Sequence, residues 1–139
     1  MALETLLQIH QPARQNISVL LTDDAGIRKL NLEWRHLDEA TDVLSWPAPD
    51  FPGSLLGDLA ISLDTASKQA SARGESLENE LAILGIHGGL HLLGFDDLTD
   101  IQHEEMQVKM REVAVAAGIP MQGDWSSLPH GEGENARPS

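Results

Sequence analysis

The chain contains no cysteine, few basic residues and no long apolar run. Without cysteine there can be no disulfide, no thiolate nucleophile and no cysteine-based zinc site, and the lack suits a cytoplasmic protein. No apolar stretch approaches the roughly 20 residues of a membrane helix. The start, Met1-Ala2-Leu3-Glu4, has neither the basic opening nor the apolar core of a signal peptide. A cytoplasmic location with no membrane partner is therefore expected. Nine basic residues face twenty-two acidic ones, a net charge of -13. That argues against a nonspecific nucleic-acid coat, whose binding is driven by a basic face and counterion release. If nucleic acid is the partner, contact must be local, or helped by a metal ion or a second protein.

What is present is a globular composition. With 139 residues, 41% of them hydrophobic, the chain can build one real core. A single domain is expected over residues 1–122. Residues 123–139, rich in Gly, Ser, Pro and acid, are expected to form a disordered tail.

Along the chain, Leu3 to His10 reads as a short amphipathic helix ended by Gln11-Pro12. Ile17 to Leu21 is a β-rich run, most simply a buried strand. Thr22 and Asp23 are N-cap candidates for a helix carrying Ile27, Leu30 and Trp34 at helical spacing. Arg35 to Asp38 reads as a loop. Val43 to Ser45 suggests a short strand, with irregular structure expected from about Trp46 to Gly53, where Pro47, Pro49 and Pro52 crowd together. Leu56 to Ser62 is a third strand, and Ser62 caps a helix from Leu63 to about Arg73, stopped by Gly74. Ser76 opens a central apolar helix through Leu84 and Leu90. The sequence Thr99-Asp100-Ile101-Gln102 is a capping box for a last helix whose Met106, Met110, Val113 and Ala117 form a core stripe. The order predicts an α/β (α+β) fold, with a central mixed sheet of three to four strands and about five helices.

The chemistry gathers at Ile86 to Asp97. His87 and His91 are four residues apart, so on a helix they share one face and can hold one metal ion. Gly94 ends the helix, and the chain can then turn back to bring Asp96 or Asp97 to the same point. Three nitrogen and oxygen donors with one open position is the pattern of a catalytic metal site. The metalloprotease version of a helical His-x-x-x-His needs Glu directly after the first His as general base. Gly88 stands there, so a peptidase lacks its proton acceptor. What remains is a Lewis-acid centre suited to a phosphodiester, with an arginine to share the developing charge. Arg35 is the candidate. Gly85, Gly88 and Gly89 weaken the helix, each by roughly 1 kcal/mol relative to Ala. They serve either close helix-to-strand packing or space for a substrate.

The run His87-Gly88-Gly89-Leu90-His91-Leu92-Leu93-Gly94-Phe95-Asp96-Asp97 resembles the signature of the YbeY family, metal-dependent endoribonucleases of ribosomal RNA maturation. Ile27 to Asn31, Trp34-Arg35, Thr41 to Pro47 and Leu56 to Ser62 are similar to further blocks of that family, in order and spacing. The resemblance implies a small α/β fold and three zinc ligands on and after a helix. By position these are His87, His91 and Asp97, with Arg35 as the functional arginine and His87 and Arg35 as the catalytic pair. It also implies single-strand-specific cleavage of RNA, with ribosomal RNA and the small ribosomal subunit as partners, and a part in ribosome quality control. A protein partner supplying RNA affinity would offset the acidic surface.

Two departures stand out. The family has His where this chain has Asp97. A carboxylate binds zinc at about 2.0–2.2 Å but cancels one unit of its charge, which weakens the Lewis acid and moves the preference towards Mn2+ or Fe2+. His103 is the rival third donor, and Asp96 is expected to orient a histidine from outside the ligand set. The family also opens with a strand before its first helix, whereas here the helix begins almost at Met1, so either the sheet is one strand short or the true start lies upstream. An exposed sheet edge and self-association are expected from that. Two other functions fit the same residues: a ribosome-assembly factor of weak catalytic capacity, and a metal-dependent hydrolase of a small phosphoester.

Overall fold

The computed structural model describes residues 2, 3, 5, 16–48, 56–121, 123 and 125. Three strands form one mixed sheet in the order β1–β3–β2, with β1 at Ile17–Thr22, β2 at Val43–Pro47 and β3 at Gly57–Ser62. β1 runs parallel to β3, from Ile17 opposite Gly57 to Thr22 opposite Ser62. β2 runs antiparallel to β3, from Val43 opposite Ile61 to Pro47 opposite Gly57. Among the described residues the helices are α1 (Asp24–Arg35), α2 (Leu63–Arg73), α3 (Leu77–Leu92) and α4 (Asp100–Ala117). This is the small α+β architecture with a central mixed sheet that the sequence predicts.

Period-two alternation divides the sheet between two cores. Val43, Leu59 and Ile61 join Ile83, Leu84, Ile86 and Leu90 of α3, and Met106, Met110 and Val113 of α4, in the main core. Leu44 and Ala60 join Ile27 of α1 in a second cluster, so α1 and α3 lie against opposite faces. The helices start where the sequence provides caps. Asp23, Ser62, Ser76 and Thr99 each accept a backbone N–H from the first turn, and Thr99 and Gln102 complete the capping box. Asp24 adds a tie between helix starts. Its carboxylate accepts from Ser62 Oγ and Thr65 Oγ1, both at 2.6 Å, while its N–H donates to Asp64 at 2.9 Å.

Gly88 shows why the central helix tolerates glycine. A Cβ there would sit 2.9 Å from Leu59 Cδ2 and 3.2 Å from Val43 Cγ2. The space is filled by the sheet, so at Gly88 close packing is the reason and substrate room is not.

Three expectations need correction. β1 is not a buried strand: among the described residues it is a sheet edge, and Leu20 and Leu21 are 53% and 50% exposed. β2 does not stop at Ser45, since Trp46 and Pro47 stay in register with Asp58 and Gly57. Proline is tolerated there because β2 is the other edge. Arg35 is not in a loop but closes α1, and the loop begins at His36, which takes the left-handed conformation at φ 59°. Ala2, Leu3 and Thr5 are helical, the last two within the helix expected from Leu3 to His10. The remainder of that helix, the proline-rich stretch from Pro49 to Gly53 and residues 126–139 lie outside the described residues.

Candidate metal centre

α3 brings His87 and His91 to its last two turns, where both are nearly fully buried, at 1% and 2% exposure. Their Nε2 atoms lie 3.1 Å apart, with the rings edge-on at 82°. The helix then ends as Gly94 anticipates. Gly94 takes φ 98°, its N–H donates to the His91 carbonyl, and the Phe95 N–H donates back to the Leu90 carbonyl. A side chain at this φ would be strained, and the reversal it allows returns the following acids to the histidines. Asp97 Oδ2 stands 3.9 Å from His87 Nε2, and Asp97 Oδ1 stands 4.0 Å from His91 Nε2.

His87, His91 and Asp97 thus present one ligand atom each, all within 4.8 Å of one another. An ion with bonds of about 2.0–2.2 Å in tetrahedral geometry would hold its donors about 3.3–3.5 Å apart. The two nitrogens, 3.1 Å apart, lie slightly inside that spacing, and the carboxylate oxygens, at 3.9 and 4.0 Å, slightly outside it. Two convergent, buried imidazole nitrogens beside a carboxylate are a donor set that fits a divalent ion.

The other candidates are placed differently. Among the described residues His103 is not part of the donor cluster. Asp96 Oδ1 lies 3.8 Å from His91 Nδ1, on the side of the ring away from the cluster, beyond a direct hydrogen bond. Arg35 comes from a separate element: half-buried, it ends α1, which packs on the sheet face opposite α3.

One neighbour was not foreseen. Trp125, 2% exposed, lies with its ring centroid 4.9 Å from that of His87. The packed part of the chain therefore extends past the boundary expected at residue 122. Trp125 is joined to Glu80 of α3, whose carboxyl is raised by burial, against the opposing effects of the Trp125 N–H and the Arg73 charge. A lone tryptophan in a Gly-, Ser- and acid-rich run carries no periodicity, and its hydrophobicity was the only available signal.

A mixed three-stranded sheet, with two buried histidines and an acid around the end of its central helix, defines a small α+β protein with a donor set that could hold a metal ion. Comparison with known proteins narrows the class. The family model described as Endoribonuclease YbeY matches residues 1–118. A protein named Endoribonuclease YbeY from Nitrobacter winogradskyi is 43% identical over 112 residues, 75% of this chain and 59% of that protein. A protein of the same name from Nautilia profundicola is 44% identical over 106 residues, 76% of this chain and 75% of that one. The solution structure of TM1509 from Thermotoga maritima is similar with a TM-score of 0.58 and 28% identity, covering 84% of this chain and 79% of the other. The chain belongs to the YbeY family. It spans about three fifths, 59%, of the length of the Nitrobacter relative.

Proposed function

We propose that this chain is a metal-dependent, single-strand-specific endoribonuclease that acts in small-subunit ribosomal RNA maturation and ribosome quality control in the cytoplasm. The observation that carries the reading is the convergence of His87, His91 and Asp97 in a chain whose family relatives are named endoribonucleases. A divalent ion held there, Zn2+ or the harder Mn2+ or Fe2+, supplies Lewis acidity towards a phosphodiester oxygen. His87 and His91 offer Nε2 lone pairs from a rigid helix, and Asp97 closes the third side from a loop set by Gly94. Asp96, 3.8 Å from His91 Nδ1, is assigned to orienting that ring from outside the ligand set. Arg35 is assigned to the substrate phosphate, where a guanidinium can make a bidentate contact.

Single-stranded RNA suits the acidic character of the protein better than duplex does. A site that takes one strand at a time needs few phosphate contacts, whereas a duplex surrounds its binder with charge. With a net charge of -13, affinity for ribosomal RNA is assigned largely to the small ribosomal subunit or to a protein partner. The test is cleavage of a single-stranded ribosomal RNA fragment and of its duplex, in competition with a generic phosphoester. The single strand should be cut and the duplex spared, with RNA outcompeting the small ester. Equal turnover of the phosphoester, unaffected by RNA, would make the protein a general phosphoesterase instead.

A further inference from the structure

Metal ligands on a helix still have to choose a ring orientation, since the second side-chain torsion of histidine is broad and roughly two-fold. The wrong choice turns Nε2 away from its partners. We propose that Trp125 is the positioning residue that makes this choice for His87. The inference rests on the reading of His87, His91 and Asp97 as a metal centre.

The His87 imidazole is bounded by two rings, His91 at 4.6 Å and Trp125 at 4.9 Å between centroids, the latter tilted by 53°. Trp125 is itself held from three elements. Its indole N–H donates to Glu80 Oε2 at 2.9 Å, and Glu80 sits two turns before His87 on the same side of α3. The Arg73 guanidinium, at the end of α2, lies 5.2 Å from the indole centroid, and its Nε lies 3.4 Å from Glu80 Oε1. Gln107 of α4 holds the Trp125 backbone at both ends: the Trp125 N–H donates to Oε1 at 2.9 Å, and Gln107 Nε2 donates to the Trp125 carbonyl. Trp125 is thus clamped by three helices with its ring against His87. A fully buried glutamate is otherwise costly, and its partners here are Trp125 and Arg73. Trp125 also lies beyond residues 1–118, the part matched by the family model, so this wall is a feature of the chain outside the matched region.

Residues that orient a ligand from outside the coordination sphere typically change metal affinity by 10–100-fold when removed. The test uses the full chain, stripped of metal with a chelator and titrated with Co2+, comparing wild type, Trp125→Phe and Trp125→Ala. Dissociation constant, visible d–d absorption and thermal melting are recorded for each. Trp125→Ala should bind Co2+ about tenfold or more weakly with an altered spectrum, and Trp125→Phe, which keeps a flat wall, should restore both. An alanine variant with wild-type affinity and spectrum overturns the proposal, as does a phenylalanine variant as weak as alanine. Should Trp125→Ala fail to fold, nitrogen-15 spectra of the wild type decide. One equivalent of Co2+ should broaden the indole resonance that Trp125→Phe removes, and an unperturbed resonance contradicts the placement. A wild type that takes up no Co2+ rejects the metal reading itself, a result distinct from failure of the variants alone.

Discussion

Among single residues, Asp97 bears most directly on the metal centre. The carboxylate occupies the corner of the site nearest both histidine Nε2 atoms, and His103 stands outside the cluster although it lies only six positions later. The reason is local: Gly94 folds the chain back immediately, whereas His103 is already in the first turn of α4 and bound to that helix's direction. Asp97→Ala should therefore abolish stoichiometric metal binding, and His103→Ala should leave it intact. Elemental analysis of the purified variants measures this directly, and metal retained by Asp97→Ala but lost from His103→Ala would reverse the assignment. His87 and His91 were legible in the sequence because a four-residue spacing on a helix fixes their geometry. Which of Asp96 and Asp97 completes the set was not legible from spacing, since either could follow the turn. Trp125 was hidden for a related reason, its contacts being made with residues eighteen and more positions away.

At the scale of elements, helix ends were the most readable features, because capping is a local exchange of hydrogen bonds. Ser62, Ser76 and Thr99 cap the helices they were expected to cap, and Gly74 and Gly118 stop α2 and α4 in the left-handed conformation. What pattern could not give was the position of a strand in the sheet. Ile17 to Leu21 is apolar enough for a central strand and stands at an edge, because β3, later in the chain, takes the middle. The tie between α1 and α2 gives a measurable pH dependence. Hydrogen bonds from Ser62 and then Thr65 hold the Asp24 carboxyl below the ordinary aspartate value, with burial opposing and Lys68 assisting. A carboxyl with a lowered folded-state pKa stabilises the fold above its unfolded value and loses that contribution as pH falls through the folded one. Asp24→Asn should cost about 1.5 kcal/mol at neutral pH, the low end of the roughly 1.5–3 kcal/mol of hydrogen bonds to a charged group, because Asp24 is partly exposed. In denaturant titrations the gap to wild type should shrink only in strongly acidic buffer. A gap that instead widened as pH fell would contradict this origin.

At the scale of the whole molecule, two properties pull in different directions. The high negative charge favours dispersal, while the edge strand β1 presents Val19, Leu20 and Leu21 with large exposure, and among the described residues only β3 pairs with it. We expect the isolated chain to self-associate, most clearly in high salt, where charge repulsion is screened. Light scattering that finds a monodisperse monomer across salt concentrations would count against a reactive edge. Under the proposed function, the same charge calls for a small metal-centred site and outside help with affinity, and not for a basic surface. We propose that His87, His91 and Asp97 form a metal centre that cuts single-stranded RNA, with Arg35 contacting the substrate from α1. The most direct measurement is cleavage of a single-stranded ribosomal RNA fragment by metal-loaded wild type, His87→Ala and Arg35→Ala. The wild type should cleave, and each variant should lose 100-fold or more, about 2.7 kcal/mol of transition-state stabilisation; wild-type cleavage rates in either variant would overturn the proposal.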